Sequence, residues 1–217
     1  MGIVKKPAEA FFRLVLRAAL IAVPTAYALI LVYYYFAQES LLFRKQTITE
    51  ERLMLIKNTY TEVKEVNLET PDGVKLHGWF LRGASAKSPL IIFFAGNADE
   101  VSTFIPEFKK HLSGWSVLLM NYRGYGMSGG SPGEREFFGD AEYLYDSFVK
   151  EKEVDGSMVV SMGRSLGTGV AVYLASVRPV KGVVLISPYD SIAAVAKGMY
   201  PFLPGSLLLK HPFDSIS

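Results

Sequence analysis

Four short apolar runs, PLIIFFA (89–95), SVLLMNY (116–122), SMVVSM (157–162) and VKGVVLIS (180–187), are separated by segments of helical periodicity. Runs of this length without a polar face suit strands buried on both sides of a parallel sheet. Between them, Val101, Phe104, Ile105, Phe108 and Leu112 share one helix face, and Phe137, Phe138, Ala141, Leu144, Tyr145, Phe148 and Val149 share another. Ahead of the first run, EVKEVNLETPDGVKLHGWFLRG alternates apolar and polar residues on either side of Pro71-Asp72-Gly73, the pattern of two antiparallel strands and a tight turn. The expected fold class is α/β: a mostly parallel sheet with an N-terminal antiparallel hairpin, helices on both faces and right-handed crossovers. A chain of 217 residues has room for one such domain, assigned to residues 62–217, after a charged, helical-looking connector at 38–61.

Residues 1–37 are a different kind of segment. Between Arg17 and Gln38 lie twenty residues without a formal charge, AALIAVPTAYALILVYYYFA, the length a helix needs to cross a bilayer. Lys5, Lys6, Arg13 and Arg17 precede it against Glu9 alone, which favours a single-pass anchor with a cytoplasmic N-terminus and the rest of the chain on the extracytoplasmic side. Tyr33, Tyr34 and Tyr35 stand where an interfacial aromatic belt belongs, and Pro24 would kink such a helix. Two alternatives stay open: a cleavable signal, since Ala26-Tyr27-Ala28 resembles a cleavage site, and a buried amphipathic helix.

A net charge of +2 offers no field to attract nucleic acid. The absence of cysteine excludes disulfides, thiol catalysis and cysteine-ligated zinc. In an open α/β sheet, function gathers at the carboxyl ends of the strands, here the loops after Ala95, Tyr122, Met162 and Ser187.

The third of these holds Gly163-Arg164-Ser165-Leu166-Gly167, a G-x-S-x-G pentapeptide. Alone it is a weak signal, but it follows a strand pattern (MVVSM) and precedes a helix pattern (LGTGVAVYLASV), the setting that lifts a serine clear of a sheet. Ser165 is therefore the candidate nucleophile, the plainer alternative being a glycine-rich turn with a capping serine. A serine nucleophile needs donors for the developing oxyanion. The Leu166 N–H at the helix start is one candidate and the Asn97 N–H, in the Gly96-Asn97-Ala98 loop, is the other; Asn97 and Asp99 also suit a plain helix cap.

FFAGNADE, LLMNYRGYGMSGGSPGE and VVSMGRSLGTGVAV, in this order and spacing, resemble the α/β-hydrolase fold, in particular its membrane-anchored Bem46-like branch, the ABHD13-type serine hydrolases. The resemblance runs from about Val63 to the last residue. It implies that Ser165 is the nucleophile, that Asn97 and Leu166 form the oxyanion hole, and that Arg123-Gly124-Tyr125-Gly126 shapes the neighbouring loop. It further implies cleavage of esters, thioesters or amides through an acyl-serine, with a small-molecule or lipid-like acyl substrate and neither metal nor organic cofactor. The family pattern His-Gly-Asn-Ala is Ala95-Gly96-Asn97-Ala98 here.

Gly124-Tyr125-Gly126-Met127-Ser128-Gly129 also satisfies the dinucleotide-binding pattern G-x-G-x-x-G. That reading requires a helix beginning at the glycines, whereas Gly130-Ser131-Pro132-Gly133 intervenes, and the acidic residue about twenty positions on, Asp146, falls in an amphipathic segment rather than at a strand end. A structural loop is the better expectation.

In this fold the triad runs serine, acid, histidine along the chain. Only His211 follows Ser165; it stands in LLLKHPFDSIS as a candidate base or a connector histidine, while His77 and His111 precede the serine and are expected to be structural. Asp190, after the last apolar run, is the candidate acid, or else it or Ser191 caps the next helix; Asp214 suits a turn or cap. Tyr200–Lys210 reads as a helical segment that roofs the pocket or packs as a crossover, and Arg164 as an exposed arginine at the turn, with no partner evident in the sequence, or as a contact for an anionic substrate. The family carries its acid and histidine in a further strand, helix, strand and helix, roughly 50–70 residues by ordinary element lengths. The expectation is thus an N-terminal portion or truncated copy of a serine hydrolase, with the 180–187 strand as an apolar edge. A non-catalytic binding protein of the same fold at the membrane is the alternative.

Overall fold

The computed structural model describes residues 7–204 and 208–215, which leaves Lys5, Lys6 and residues 205–207 of the expected roof outside the described residues. The chain divides into two compact units, Met1–Leu41 and Leu42–Ser217.

The described residues of the first unit are helical. Helix α1 (Pro7–Leu42) is continuous over 36 residues, and its Phe11–Leu42 part is apolar and long enough to cross a membrane. It runs past Ala37, the expected end, where the Ser40 hydroxyl donates back to the Ala37 carbonyl at 2.8 Å. Pro24 lies inside the helix, and the Thr25 hydroxyl satisfies the Ile21 carbonyl at 2.8 Å in the turn that the proline disturbs.

The second unit holds one six-stranded sheet in the order β1-β2-β4-β3-β5-β6. Strands β1 (Lys64–Glu69) and β2 (Lys75–Leu81) form the expected antiparallel hairpin, closed by Gly73 at φ 81° and by the Thr70 amide on the Val74 carbonyl. Strands β3 (Ser88–Phe94), β4 (Ser116–Met120), β5 (Val154–Arg164) and β6 (Gly182–Ile186) are mutually parallel, and β2 joins them antiparallel along β4. The expected α/β architecture holds, with β5 reaching further in both directions than its apolar run.

Alternation along β3 splits the core in two. Leu90, Ile92 and Phe94 face α4 (Glu134–Phe148) and α5 (Leu166–Val177) in one buried layer; Ile91, Phe93 and Ala95 face α2 (Glu50–Thr59), the 3-10 turn Val101–Phe104 and α3 (Ile105–His111) in the other. The 38–61 segment is not a free connector, because Phe43 and Ile56 are buried in these layers. Each buried apolar side chain of this size contributes about 1.5–3 kcal/mol, so the part of the segment from Leu42 onward belongs energetically to the sheet domain. At the far edge the picture reverses: Val183, Val184, Leu185 and Ile186 of β6 are each about 40% exposed.

Helix α6 (Ile192–Met199) is capped by the Ser191 hydroxyl, which accepts the Ala194 N–H at 3.0 Å. The expected helix over Tyr200–Lys210 does not form in its described first part: Tyr200–Pro204 is a turn, because Pro201 pushes Tyr200 out of the helical region to φ −132°, ψ 66°.

Candidate active site

Strand order fixes where a crevice opens. From β3 the chain crosses to β4 on one side, and from β5 it crosses to β6 on the other, so the carboxyl ends of β3 and β5 flank the switch point. Ser165 and the Gly96-Asn97-Ala98 loop stand at these two ends.

Ser165 occupies the single residue between β5 and α5 at φ 49°, ψ −119°, a region that non-glycine residues avoid. Packing imposes this turn. A Cβ on Gly167 would lie 2.0 Å from the Phe94 carbonyl oxygen, and one on Gly163 would lie 2.3 Å from that of Gly167. The first turn of α5 thus rests on the ends of β5 and β3, which the glycines alone permit. The Ser165 side chain is exposed and does not cap α5; its amide donates to the Ile186 carbonyl at 2.8 Å, and the Thr168 hydroxyl holds its carbonyl at 2.7 Å. Replacing Ser165 by glycine removes the strain, and thermal melting is expected to show a gain of about 1 kcal/mol; unchanged or lowered stability would mean that the turn stores none.

The β3 loop is held by Tyr122, which the sequence reading passed over, and by Tyr125, in the Arg123–Gly126 stretch expected to shape the neighbouring loop. Tyr122 and Tyr125, on either side of Arg123, donate their hydroxyls to the Ala95 and Asn97 carbonyls at 3.0 and 2.9 Å. Burial pushes both phenols above their usual pKa of 10, so they remain donors throughout the neutral range. Asp99 accepts the Gly96 N–H at 2.8 Å, while Glu100, not Asn97 or Asp99, caps the following 3-10 turn. Among the described residues, neither the Asn97 N–H nor the Leu166 N–H is taken up by a backbone hydrogen bond.

Arg164 is exposed, as expected, but it has a partner that the sequence did not show. Its Nη1 donates to Asp99 Oδ2 at 2.6 Å, and its guanidinium lies 5.8 Å from the Phe104 ring centroid. Arg123 is buried and forms a hub: Nε and Nη2 reach the Asp140 carboxylate at 2.7–3.1 Å, while Nη1 and Nη2 reach Asp72 in the hairpin turn at 2.5 and 2.9 Å. The loop from Gly124 to Gly129 closes on itself through the Gly124 N–H and Gly129 carbonyl, α4 begins only at Glu134, and Asp146, on α4, pairs with Arg178 at the end of α5. The glycines therefore shape a turn and present no helix N-terminus to a pyrophosphate.

The remaining candidates are engaged elsewhere. His211 Nδ1 accepts the Glu134 N–H at 3.3 Å, at the start of α4, and its ring packs edge-on against Phe43. Asp190 is exposed; its carbonyl accepts the Ser215 N–H, and Ile192 N–H donates to the Pro212 carbonyl, so the segments of Asp190 and His211 run side by side. No hydrogen bond joins either residue to Ser165 among the described residues. His77 is buried on Glu65 at 2.9 Å, and His111 pairs with Glu107 on the surface of α3.

Comparison with known proteins adds three findings. Residues 89–208 match the family described as alpha/beta hydrolase fold. The Mycobacterium tuberculosis protein Rv2307c is 38% identical over 155 residues, 70% of this chain and 55% of that one, and the lysophosphatidylserine lipase ABHD12 of Danio rerio is 33% identical over 140 residues, 58% and 36%. The chain thus spans about half or less of the length of these relatives. An alpha-beta hydrolase from Vibrio vulnificus superposes with a TM-score of 0.65 at 23% identity, over 79% of this chain and 65% of the other. The matched residues run from β3 to beyond α6 and take in switch point and serine turn together; the chain belongs to the α/β-hydrolase fold family.

Proposed function

We propose that this chain carries the nucleophile and oxyanion donors of a membrane-anchored serine hydrolase of the Bem46-like branch. The observation that carries the reading is the strained backbone of Ser165 between β5 and α5, at the sheet's switch point. In the proposed reaction Ser165 Oγ attacks the carbonyl carbon of an ester, thioester or amide and gives its proton to a general base. The carbonyl oxygen becomes an oxyanion, held by the Asn97 and Leu166 N–H groups and by the N-terminal end of α5. Collapse expels the alcohol, thiol or amine with that proton and leaves acyl-Ser165, which water hydrolyses to the acid. Preorganisation supports these roles: tyrosine hydroxyls hold the carbonyls around Asn97, and Leu166 is the first residue of α5.

Within this chain Asp190 and His211 are the proposed acid and base, their segments running side by side. A lipid-like acyl substrate accords with the lipase named among the relatives and with an apolar helix long enough for a bilayer. Turnover of a panel of acyl esters, thioesters and amides, lost on Ser165→Ala, tests the reading. The second reading, a non-catalytic binding protein at the membrane, is favoured by His211 being engaged at α4. It requires acyl ligands to bind without turnover.

The N-terminus is proposed to be cytoplasmic, from Lys5, Lys6, Arg13 and Arg17, with the sheet domain on the other side. The chain has no cysteine, so one introduced at exposed Ser85 reports topology directly. In intact cells it should react with an impermeant maleimide; reaction only after lysis would reverse the orientation.

A further inference from the structure

One carboxylate joins the Asn97 loop to the Ser165 turn. Asp99 Oδ2 accepts the Gly96 N–H at 2.8 Å and an Arg164 Nη1–H at 2.6 Å. Gly96 and Arg164 are the residues directly before Asn97 and Ser165. We propose that Asp99 and Arg164 are a positioning pair that sets the separation between the Asn97 N–H and Ser165, a role that rests on the reading of these two as oxyanion donor and nucleophile.

The geometry leaves the loop little freedom. A Cβ on Gly96 would lie 2.7 Å from Asp99 Oδ2 and 3.6 Å from the Arg164 carbonyl oxygen, so the loop backbone passes close to the end of β5. Tyr122 and Tyr125 tie the same loop toward β4, and the Asp99 carboxylate ties it toward β5. Charge-assisted bonds of this kind fix direction as well as distance, and the planar guanidinium is further confined by the Phe104 ring.

Energy separates this role from a merely structural one. The Arg164 side chain is 44% exposed and that of Asp99 19%, so solvent screens the pair and its loss should barely affect folding. A displacement of about 1 Å at a catalytic donor, by contrast, costs up to about 100-fold in rate. The effects of substitution should therefore appear in reactivity and not in melting temperature.

The test uses the full chain and a fluorophosphonate probe, with the maximal rate of Ser165 modification separated from the probe's apparent affinity. Asp99→Ala should lower the maximal rate about tenfold or more. Asp99→Asn, which keeps an acceptor for the Gly96 N–H, and Arg164→Ala should each have a smaller effect, and Arg164→Lys should recover most of the rate. Apparent affinity should stay within about twofold and melting temperature within about 3 °C, the range of a weak exposed pair. Amide hydrogen exchange at Gly96 and Asn97 should quicken most in Asp99→Ala. A wild-type rate in Asp99→Ala, or rate losses that simply follow melting temperature, overturns the positioning role. Should the wild type not react at Ser165 at all, the nucleophile reading fails by itself. Exchange then decides the pair: quickened exchange at both amides in Asp99→Ala sustains the tie, and unchanged exchange overturns it.

Discussion

Ser165→Ala is expected to lower acyl-ester hydrolysis at least about 1,000-fold while leaving the fold intact, because the oxygen removed is the one proposed to bond to the acyl group. The residual rate should be that of an oxyanion site and a binding surface acting on water. Structural side effects should be small: the side chain is exposed, does not cap α5, and its backbone role is kept by alanine. Initial rates alongside a thermal melt check this. A variant that melts like the parent and retains more than a tenth of its activity would remove Ser165 from the chemistry. Equal activity in both proteins would point to a contaminant or to a second site.

The second large effect concerns stability. Arg123→Ala should destabilise the sheet domain by about 3–5 kcal/mol, the cost of leaving a buried carboxylate without its counter-charge. The Arg123 and Asp140 side chains are 9% and 7% exposed, so little solvent is at hand to replace either partner. Arg123 also links Asp72 of the β1–β2 turn to Asp140 of α4, and its loss removes a tie between two elements far apart in sequence. A urea titration with a loss under about 1 kcal/mol would show that the cluster is solvated and expendable.

The same cluster sets an acid response. Arg123 and the Thr70 hydroxyl hold Asp72 well below its usual 3.8, whereas burial pushes Asp140 up from the same value. The depressed group stabilises the fold fully above its unfolded pKa, and that share is lost as the pH falls below about 3.8. The raised group acts oppositely: its burial penalty is relieved as it takes up a proton on the way down. Asp72→Asn should therefore flatten the acid limb of the stability profile below about pH 4. An acid limb as steep as the parent's would assign it to other carboxylates.

The layers of this fold were legible because periodicity reports burial. Apolar runs without a polar face became β3, β4, β5 and β6, and the alternating segment became the β1–β2 hairpin. The serine turn was legible for a related reason: Gly163 and Gly167 admit no Cβ where the helix start crosses the strand ends, and that demand leaves a mark in sequence. Interactions between distant polar residues left none. Nothing local announces that Asp99 will meet Arg164, that Tyr125 will reach the Asn97 carbonyl, or that Arg123 will gather Asp72 and Asp140. Those pairings arise from strand order, which places the loops after β3 and β4 and the turn after β5 side by side. The described first part of the helix expected after Met199 failed on a rule that was available, the bias of a residue before proline, applied here at Tyr200.

The most direct test of Ser165 as a nucleophile is the mass of the full chain after exposure to a fluorophosphonate, followed by mapping of the modified peptide. The expected result is a single covalent adduct on Ser165, absent from the alanine variant and from heat-unfolded protein. A folded chain that gains no mass, or that gains it on a residue away from the turn between β5 and α5, would contradict the nucleophile and leave a hydrolase fold used for binding alone.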